Sequence, residues 1–241
     1  METGIRSLTS SDLKVTSTTN IETLGAVGAT ADNRLFRYVY TDATNGLAIG
    51  KLGVAPAATA NHVNRSLGSA SPVAVGGKTV TVAVGATAVT ADQYAGGYLV
   101  VRDGTGKGQV LRVNGNSSSA GSTDITVSLA DPISTALSLS DSKVDLINPF
   151  YGVVASTTLS QAVGVAPVTF AAGTYGWVQT KGIASVLADG VITKGYACVQ
   201  STSVSGAVAI NAASAATSQL VGVAPEATVD TKYNQILLDI K

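Results

Sequence analysis

Residues 164–190 read GVAPVTFAAGTYGWVQTKGIASVLADG, and this stretch decides the fold that we predict. Apolar and polar residues alternate along it with the two-residue period of a β-strand, and glycines interrupt the alternation. We therefore expect strands at 173–180 and 184–187. The stretch also contains Trp177, the only tryptophan of the chain. It indicates a sheet surface with an aromatic anchor and holds no obvious catalytic group.

The tetrapeptide GVAP, which opens this stretch, occurs three times, at 53–56, 164–167 and 222–225. Proline cannot donate a hydrogen bond to a neighbouring strand, so each copy is expected to end a strand or to lie at a sheet edge. The unequal spacing of the copies argues against a solenoid. The alternative is that such a tetrapeptide recurs by chance in a chain rich in Gly, Ala and Val.

The composition favours a β-rich protein that assembles with other proteins. Charged residues are only 12% of the 241 residues, whereas hydrophobic residues are 45% and aromatic residues 5%. An average soluble domain has roughly 25% charged residues, so much of this surface is expected to contact protein rather than water. The formal net charge is 0. Counterion release then offers little drive for binding nucleic acid, and we expect no nucleic-acid partner.

Simple counts also disfavour disulfide-stapled, secreted and membrane proteins. The lone Cys198 cannot form an internal disulfide. The first residues lack the apolar core of a signal peptide, and no apolar run approaches the roughly 18 residues of a transmembrane helix. We expect a soluble product that is made in the cytoplasm and has no membrane partner.

The order of the elements predicts an all-β fold of two small barrel or sandwich domains with an extended N-terminal arm. Residues 1–31 are rich in Ser, Thr and Gly and lack a clean period. This pattern is typical of a frayed terminus, or of an arm that orders against a neighbouring subunit. The first β domain is predicted at 32–148 and a C-terminal β-barrel domain at 149–241.

Three local patterns predict individual elements of the first domain. Residues 78–84 read KTVTVAV, an alternating strand with its valines on one face. The spacing of Thr90 and Gln93 is that of a capping box and predicts one helical turn. The glycine-rich loop 103–108 predicts a hairpin. It does not match the phosphate-loop motif, and no helix signal follows it.

The residues that could serve catalysis or metal binding form no convergent set. The chain has one histidine, His62, and one cysteine, so a His/Cys metal cluster is excluded by number. A Ser-His-Asp triad would have to use His62 without a G-x-S-x-G motif. Paired carboxylates serve glycosidases, but no spacing singles out a pair here. We therefore expect no catalytic residue, no metal and no cofactor.

Aromatic residues on two predicted strands are the candidates for a contact surface. Alternate residues of the strand at 34–40 share a face, and Tyr175 and Trp177 alternate in the same way. Such residues are more often core or interface anchors than a ligand platform. The interface candidates are Phe36, Tyr38, Tyr40, Tyr175 and Trp177.

Two parts of the chain resemble proteins from the heads of tailed bacteriophages. Residues 86–109 read ATAVTADQYAGGYLVVRDGTGKGQ and are followed downstream by Asp131-Pro132. They resemble a segment common in phage structural proteins. Residues 164–195, continuing to the GVAP at 222–225, have a rhythm of GVA, AG, ADG and single glycines. This rhythm is similar to that of small β-barrel capsid decoration proteins.

The resemblance implies a non-enzymatic virion protein that binds the outer capsid surface and cements the shell. It implies a homotrimer at local three-fold positions, with the major capsid protein as its partner and an N-terminal arm across neighbouring subunits. The chain departs from the smallest decoration proteins by an extra first domain. The alternative is a tail or fibre component that acts as a carbohydrate-binding or adhesin-like module, with Tyr175 and Trp177 contacting the glycan.

Overall fold

The computed structural model describes residues 4–69, 73–211 and 219–240, and the regular structure in them is almost all β. Two short 3₁₀ turns, Asp12–Lys14 and Ala60–His62, are the helical elements of these residues, and neither is long enough to cross a bilayer. The strands in chain order are β1 (Arg6–Ser7), β2 (Val27–Ala29), β3 (Leu35–Thr41), β4 (Leu52–Val54), β5 (Arg65–Ser66), β6 (Thr79–Ala83), β7 (Tyr98–Asp103), β8 (Val110–Asn116), β9 (Asp124–Leu129), β10 (Lys143–Ile147), β11 (Gly152–Val153), β12 (Ala162–Val165), β13 (Tyr175–Leu187), β14 (Ala197–Gln200), β15 (Val208–Ile210), β16 (Leu220–Val223) and β17 (Tyr233–Asp239).

The chain forms two compact units, one of which is inserted into the sequence of the other. The split domain consists of Met1–Pro56 and Phe150–Lys241, and the inserted domain consists of Ala57–Pro149. The two ends of the inserted domain meet, since the side-chain amide of Asn148 donates to the Ala57 carbonyl oxygen at 2.9 Å. The all-β fold with two domains is confirmed, whereas the predicted division into 32–148 and 149–241 is wrong.

The sheet of the split domain is organised around β13, which lies inside the stretch 164–190. The first half of β13 pairs antiparallel with β3, and the second half pairs antiparallel with β17. The predicted break between 173–180 and 184–187 is a bulge within one strand of 13 residues. Gly182 has a φ of +90° there, and the Gln179 amide donates to the Lys181 and Ile183 carbonyl oxygens. The bulge lets one strand serve two partners.

The remaining strands of the split domain extend from this pair in both directions. The pairing order is β1-β2-β3-β13-β17-β16-β14-β15, with β12 paired to β13 and β4, and β11 paired to β3. Val39 and Leu47 share one core with Val163 and Val178. Because the N-terminal strands bury their apolar faces on these C-terminal strands, residues 149–241 do not form a separate barrel.

The barrel lies in the inserted domain. Its described strands pair in the order β5-β10-β7-β8-β9-β6, and an isolated bridge between Leu67 and Val82 joins the two ends of this sheet. Val80, Val82 and Val84 are buried in its core, as the alternation at 78–84 predicts. The hairpin predicted at 103–108 is also confirmed, because it connects the antiparallel strands β7 and β8.

The helical turn predicted at 90–93 is wrong. The Thr90 N–H donates to Gln93 Oε1 at 3.1 Å, which is one half of a capping box. Asp92, however, has a φ of +57°. This left-handed conformation is incompatible with a right-handed helix, so the chain makes non-helical turns instead.

Each GVAP copy ends a strand, as predicted, because β4, β12 and β16 all end at the valine of the motif. The glycine of the motif allows a neighbouring strand to pass close by. A Cβ atom at Gly222 would lie 2.2 Å from the Leu237 carbonyl oxygen, and one at Gly164 would lie 2.6 Å from Cγ2 of Val178. Ending a strand is therefore the role that all three copies share.

We expect the three Gly→Ala substitutions in these motifs to destabilise the split domain in the order Gly222, Gly164, Gly53. At Gly222 the new methyl meets backbone, which cannot move aside. At Gly53 it meets the flexible end of Leu47 at 3.0 Å. The expected loss in free energy of unfolding is about 3 kcal/mol at Gly222 and about 1 kcal/mol at Gly53. Urea unfolding measures it, and equal losses at all three positions would contradict this explanation.

Candidate functional site

Aromatic rings gather on one face of the β3–β13 pair. Tyr40 lies opposite Tyr175, and Tyr38 lies opposite Trp177. The ring centroids are 4.6 Å apart in the first pair and 5.2 Å apart in the second, where the rings meet edge to face. Such distances are favourable for aromatic pairs. Phe36 packs in the same core cluster as Tyr38 and Trp177, so the structure brings all five interface candidates together.

The N-terminal segment covers these rings. Leu8 and Leu13 are buried in the same cluster as Trp177. The Leu8 N–H donates to the Ala29 carbonyl oxygen at 2.8 Å, and Ser17 exchanges two backbone hydrogen bonds with Tyr175. The extended arm predicted at 1–31 is therefore wrong for the described residues 4–31. This segment folds on its own chain because its few leucines fit the aromatic face.

This cover changes the role of three interface candidates. No more than 4% of the surface of Phe36, Tyr38 or Trp177 is exposed. They are core residues, and with the N-terminal segment in place they do not form an exposed surface for contact with another protein. Tyr40 and Tyr175 are half-buried, and their role as contact residues stays a prediction.

A pocket of about 240 Å³ remains between the N-terminal segment and the rings; we call it the aromatic pocket. Tyr38, Tyr175 and Trp177 line one side. Val15 and Ile21 also line it, and each is 61% exposed. The pocket therefore opens to solvent beside two aliphatic side chains.

One end of the aromatic pocket is polar. The Arg6 guanidinium carbon lies 5.9 Å from the ring centroid of Trp177, within range of a cation–π interaction. Arg6 forms ion pairs with Glu22 and with Asp12, the latter at 3.6 Å. Hydrogen bonds from the Thr9 hydroxyl and N–H, together with Arg6, hold the pKa of Asp12 below its usual value. Asp12 therefore faces Arg6 as a carboxylate.

The Tyr38 hydroxyl has an unused donor. It accepts a hydrogen bond from the Ile21 N–H at 3.3 Å, and among the described residues no group accepts its proton. Burial raises the pKa of Tyr38, and burial also raises that of Tyr175. Both phenols therefore keep their protons at neutral pH. Tyr38 lines the pocket, so its O–H donor is available there.

A second candidate surface lies on the outer face of the β13, β17 and β16 strands. Ile183 is paired with Leu237, Leu237 with Val223, and Val223 with Ala197. We call these four residues the outer row. Ile183 and Leu237 are each 47% exposed, and Val223 is 39% exposed. The solvent face of an antiparallel sheet is normally polar, which makes this apolar row a candidate binding surface.

The outer row has a polar border along the strands. Lys181 pairs with Asp239 on one side of the row, and Ser185 pairs with Gln235 on the other. All four are exposed. An apolar centre with a polar rim is the usual composition of a protein–protein interface.

The single histidine has a structural setting. His62 is fully buried, and its Nε2 lies 3.0 Å from the Thr87 carbonyl oxygen, so Nε2 carries the proton. The other ring nitrogen then accepts a hydrogen bond from the Tyr94 hydroxyl. Burial raises the pKa of Tyr94 to about 12, which keeps this donor protonated. His62 thus ties together turns of the inserted domain.

The remaining reactive groups do not converge. Burial raises the pKa of the Cys198 thiol to about 11, so it is neutral at physiological pH. Within residues 4–69, 73–211 and 219–240, no three His, Cys, Asp or Glu side chains are grouped closely enough to hold a metal ion.

Sequence reasoning missed two parts of these surfaces. The outer row depends on the register between strands that are distant in sequence, and the letters alone do not give that register. Arg6 and Asp12 lie in a segment that reads as unstructured. A signal for the orientation of Ile183 and Leu237 does exist. Polar residues lie two positions away from each of them along the strand, so the two-residue period places both on the outward face.

Comparison with family models, with curated proteins and with solved structures gave no match. The aromatic pocket and the outer row are therefore the features from which a function can be inferred.

Proposed function

We propose that the chain is a non-enzymatic structural protein of a tailed-bacteriophage virion, which binds the outer capsid surface and stabilises the shell. The observation that carries this proposal is the outer row, an apolar strip on the solvent face of a sheet. Its partner is the major capsid protein, and the chain acts as a homotrimer on the capsid exterior after synthesis in the host cytoplasm.

The mechanism is the burial of the outer row on the shell. Leu237 lies in the middle of three paired strands, so its side chain becomes the centre of the contact. The Lys181–Asp239 pair lies at the rim, where charges add orientation more than affinity. A trimer carries three such rows, and simultaneous engagement multiplies a weak single contact into stable attachment. The neutral net charge suits a protein outside the DNA-filled interior.

The number of copies per particle tests this proposal. A cement occupies a repeated lattice position, so gradient-purified particles should carry on the order of hundreds of copies. Quantitative mass spectrometry against the capsid protein measures that number. A handful of copies would indicate a tail or fibre component and would overturn the decoration role, as would the absence of the chain from particles.

A further inference from the structure

The size of the aromatic pocket limits what it can hold. Its volume of about 240 Å³ is below the 300–1,000 Å³ of typical drug-sized sites. It opens to solvent beside Val15 and Ile21. A single six-membered ring with small substituents is therefore a suitable occupant.

The polar groups of the pocket offer both donors and acceptors. The unused O–H of Tyr38 is a donor, and so are the N–H groups of Arg6 that its ion pairs leave free. The Asp12 carboxylate is an acceptor with more lone pairs than its contacts with Thr9 and Arg6 use. Because Arg6 already pairs with two carboxylates, Asp12 and Glu22, an anionic ligand finds no unpaired cation there. The ligand should be neutral and should both donate and accept hydrogen bonds.

The aromatic wall adds a third requirement. Tyr175 lines the pocket and is half-buried, whereas Trp177 lines it but is 4% exposed. A ring with an apolar C–H face fits against such an aromatic side chain. We propose that the aromatic pocket binds one neutral saccharide residue, whose ring packs on Tyr175 and whose hydroxyls contact Tyr38, Arg6 and Asp12. This site is separate from the outer row and does not depend on shell binding.

An aliphatic side chain of a partner protein fits this pocket less well. It would pack on Tyr175, but it would remove water from the Tyr38 O–H and from the Arg6–Asp12 pair without replacing those hydrogen bonds. Leaving buried polar groups unpaired is unfavourable. A saccharide hydroxyl satisfies the same groups.

Trp177 reports on this site directly, because it is the only tryptophan and lines the pocket. Neutral hexoses and N-acetylhexosamines are titrated into the full chain while the emission of Trp177 is recorded. At least one should give a saturable change. Glucuronic acid, which carries a negative charge on the same ring, should bind more weakly.

Two variants and one control locate the binding. Tyr38→Phe removes one hydroxyl, and Tyr175→Ala removes the packing surface; each should raise the Kd by about tenfold. Tyr196→Ala removes a tyrosine of the same domain that is 54% exposed and does not line the pocket, and it should leave the Kd unchanged. The proposal is overturned if no neutral sugar gives a saturable change, if glucuronic acid binds more tightly, or if both pocket variants keep the wild-type Kd.

Discussion

Deletion of residues 1–31 is expected to unfold most of the split domain. The deletion removes Leu8 and Leu13 from the cluster around Trp177, and it removes β1 and β2 from the edge of β3. Burial of a leucine side chain contributes about 1.5–3 kcal/mol, so the two leucines alone contribute about 3–6 kcal/mol. A domain is stable by only about 5–15 kcal/mol in total. The newly exposed rings of Phe36 and Tyr38 would also promote aggregation.

The emission of Trp177 and urea unfolding measure this effect. We expect Trp177 to become solvent-exposed in the deletion variant, with a shift of its emission to longer wavelength. Leu13→Ala removes a smaller part of the same contact and should lower the free energy of unfolding by about 2–5 kcal/mol. Deletion of residues 1–5 is the control, because Ile5 is exposed and the deletion keeps Arg6 and both leucines. Unchanged emission and an unchanged urea midpoint after deletion of 1–31 would show that the segment does not support the fold.

The substitution Leu237→Lys is expected to abolish attachment to the shell while the fold is kept. Leu237 points outward between the buried side chains of Ile236 and Leu238, so a lysine does not enter the core. Such surface substitutions usually change stability by no more than about 0.5 kcal/mol. In the proposed contact, however, the ammonium group would be buried without a partner. We expect the binding free energy to fall by about 3 kcal/mol or more, which raises the Kd roughly a hundredfold or more.

The matched control for this substitution is Gln235→Lys. Gln235 is exposed on the same face of β17, two residue pairs further along the strand, so the variant carries the same added charge outside the outer row. Sedimentation of purified chain with particles that lack it measures occupancy, and native mass spectrometry checks that the trimer persists. An equal loss for both variants would indicate long-range charge repulsion, and it would contradict burial of the outer row.

Local patterns predicted individual strands well but not the division into domains. The alternation at 78–84 and the GVAP motifs depend on neighbouring residues, so the sequence contains the information directly. The division depends on which distant strands pair. β3 reads as the first strand of an N-terminal domain, yet its partner is β13. Such pairing is decided by the fit of whole apolar faces, which a reading along the chain does not compare.

The candidate site shows the same contrast. The two-residue period placed Tyr38 and Tyr40 on one face and Tyr175 and Trp177 on another, and register then joined the two faces. That the N-terminal segment covers these rings was not predictable in this way, because a few leucines within a Ser/Thr-rich segment show no periodic pattern. An extended arm and a folded segment have the same composition, and the packing of Leu8 and Leu13 with the backbone hydrogen bonds of Leu8 and Ser17 distinguishes them.

The position of the outer row in a reconstruction of intact particles tests the central claim most directly. We expect Ile183, Leu237 and Val223 to lie against the capsid shell, with Lys181 and Asp239 at the edge of the contact. A reconstruction in which this row faces solvent on particle-bound copies would contradict it.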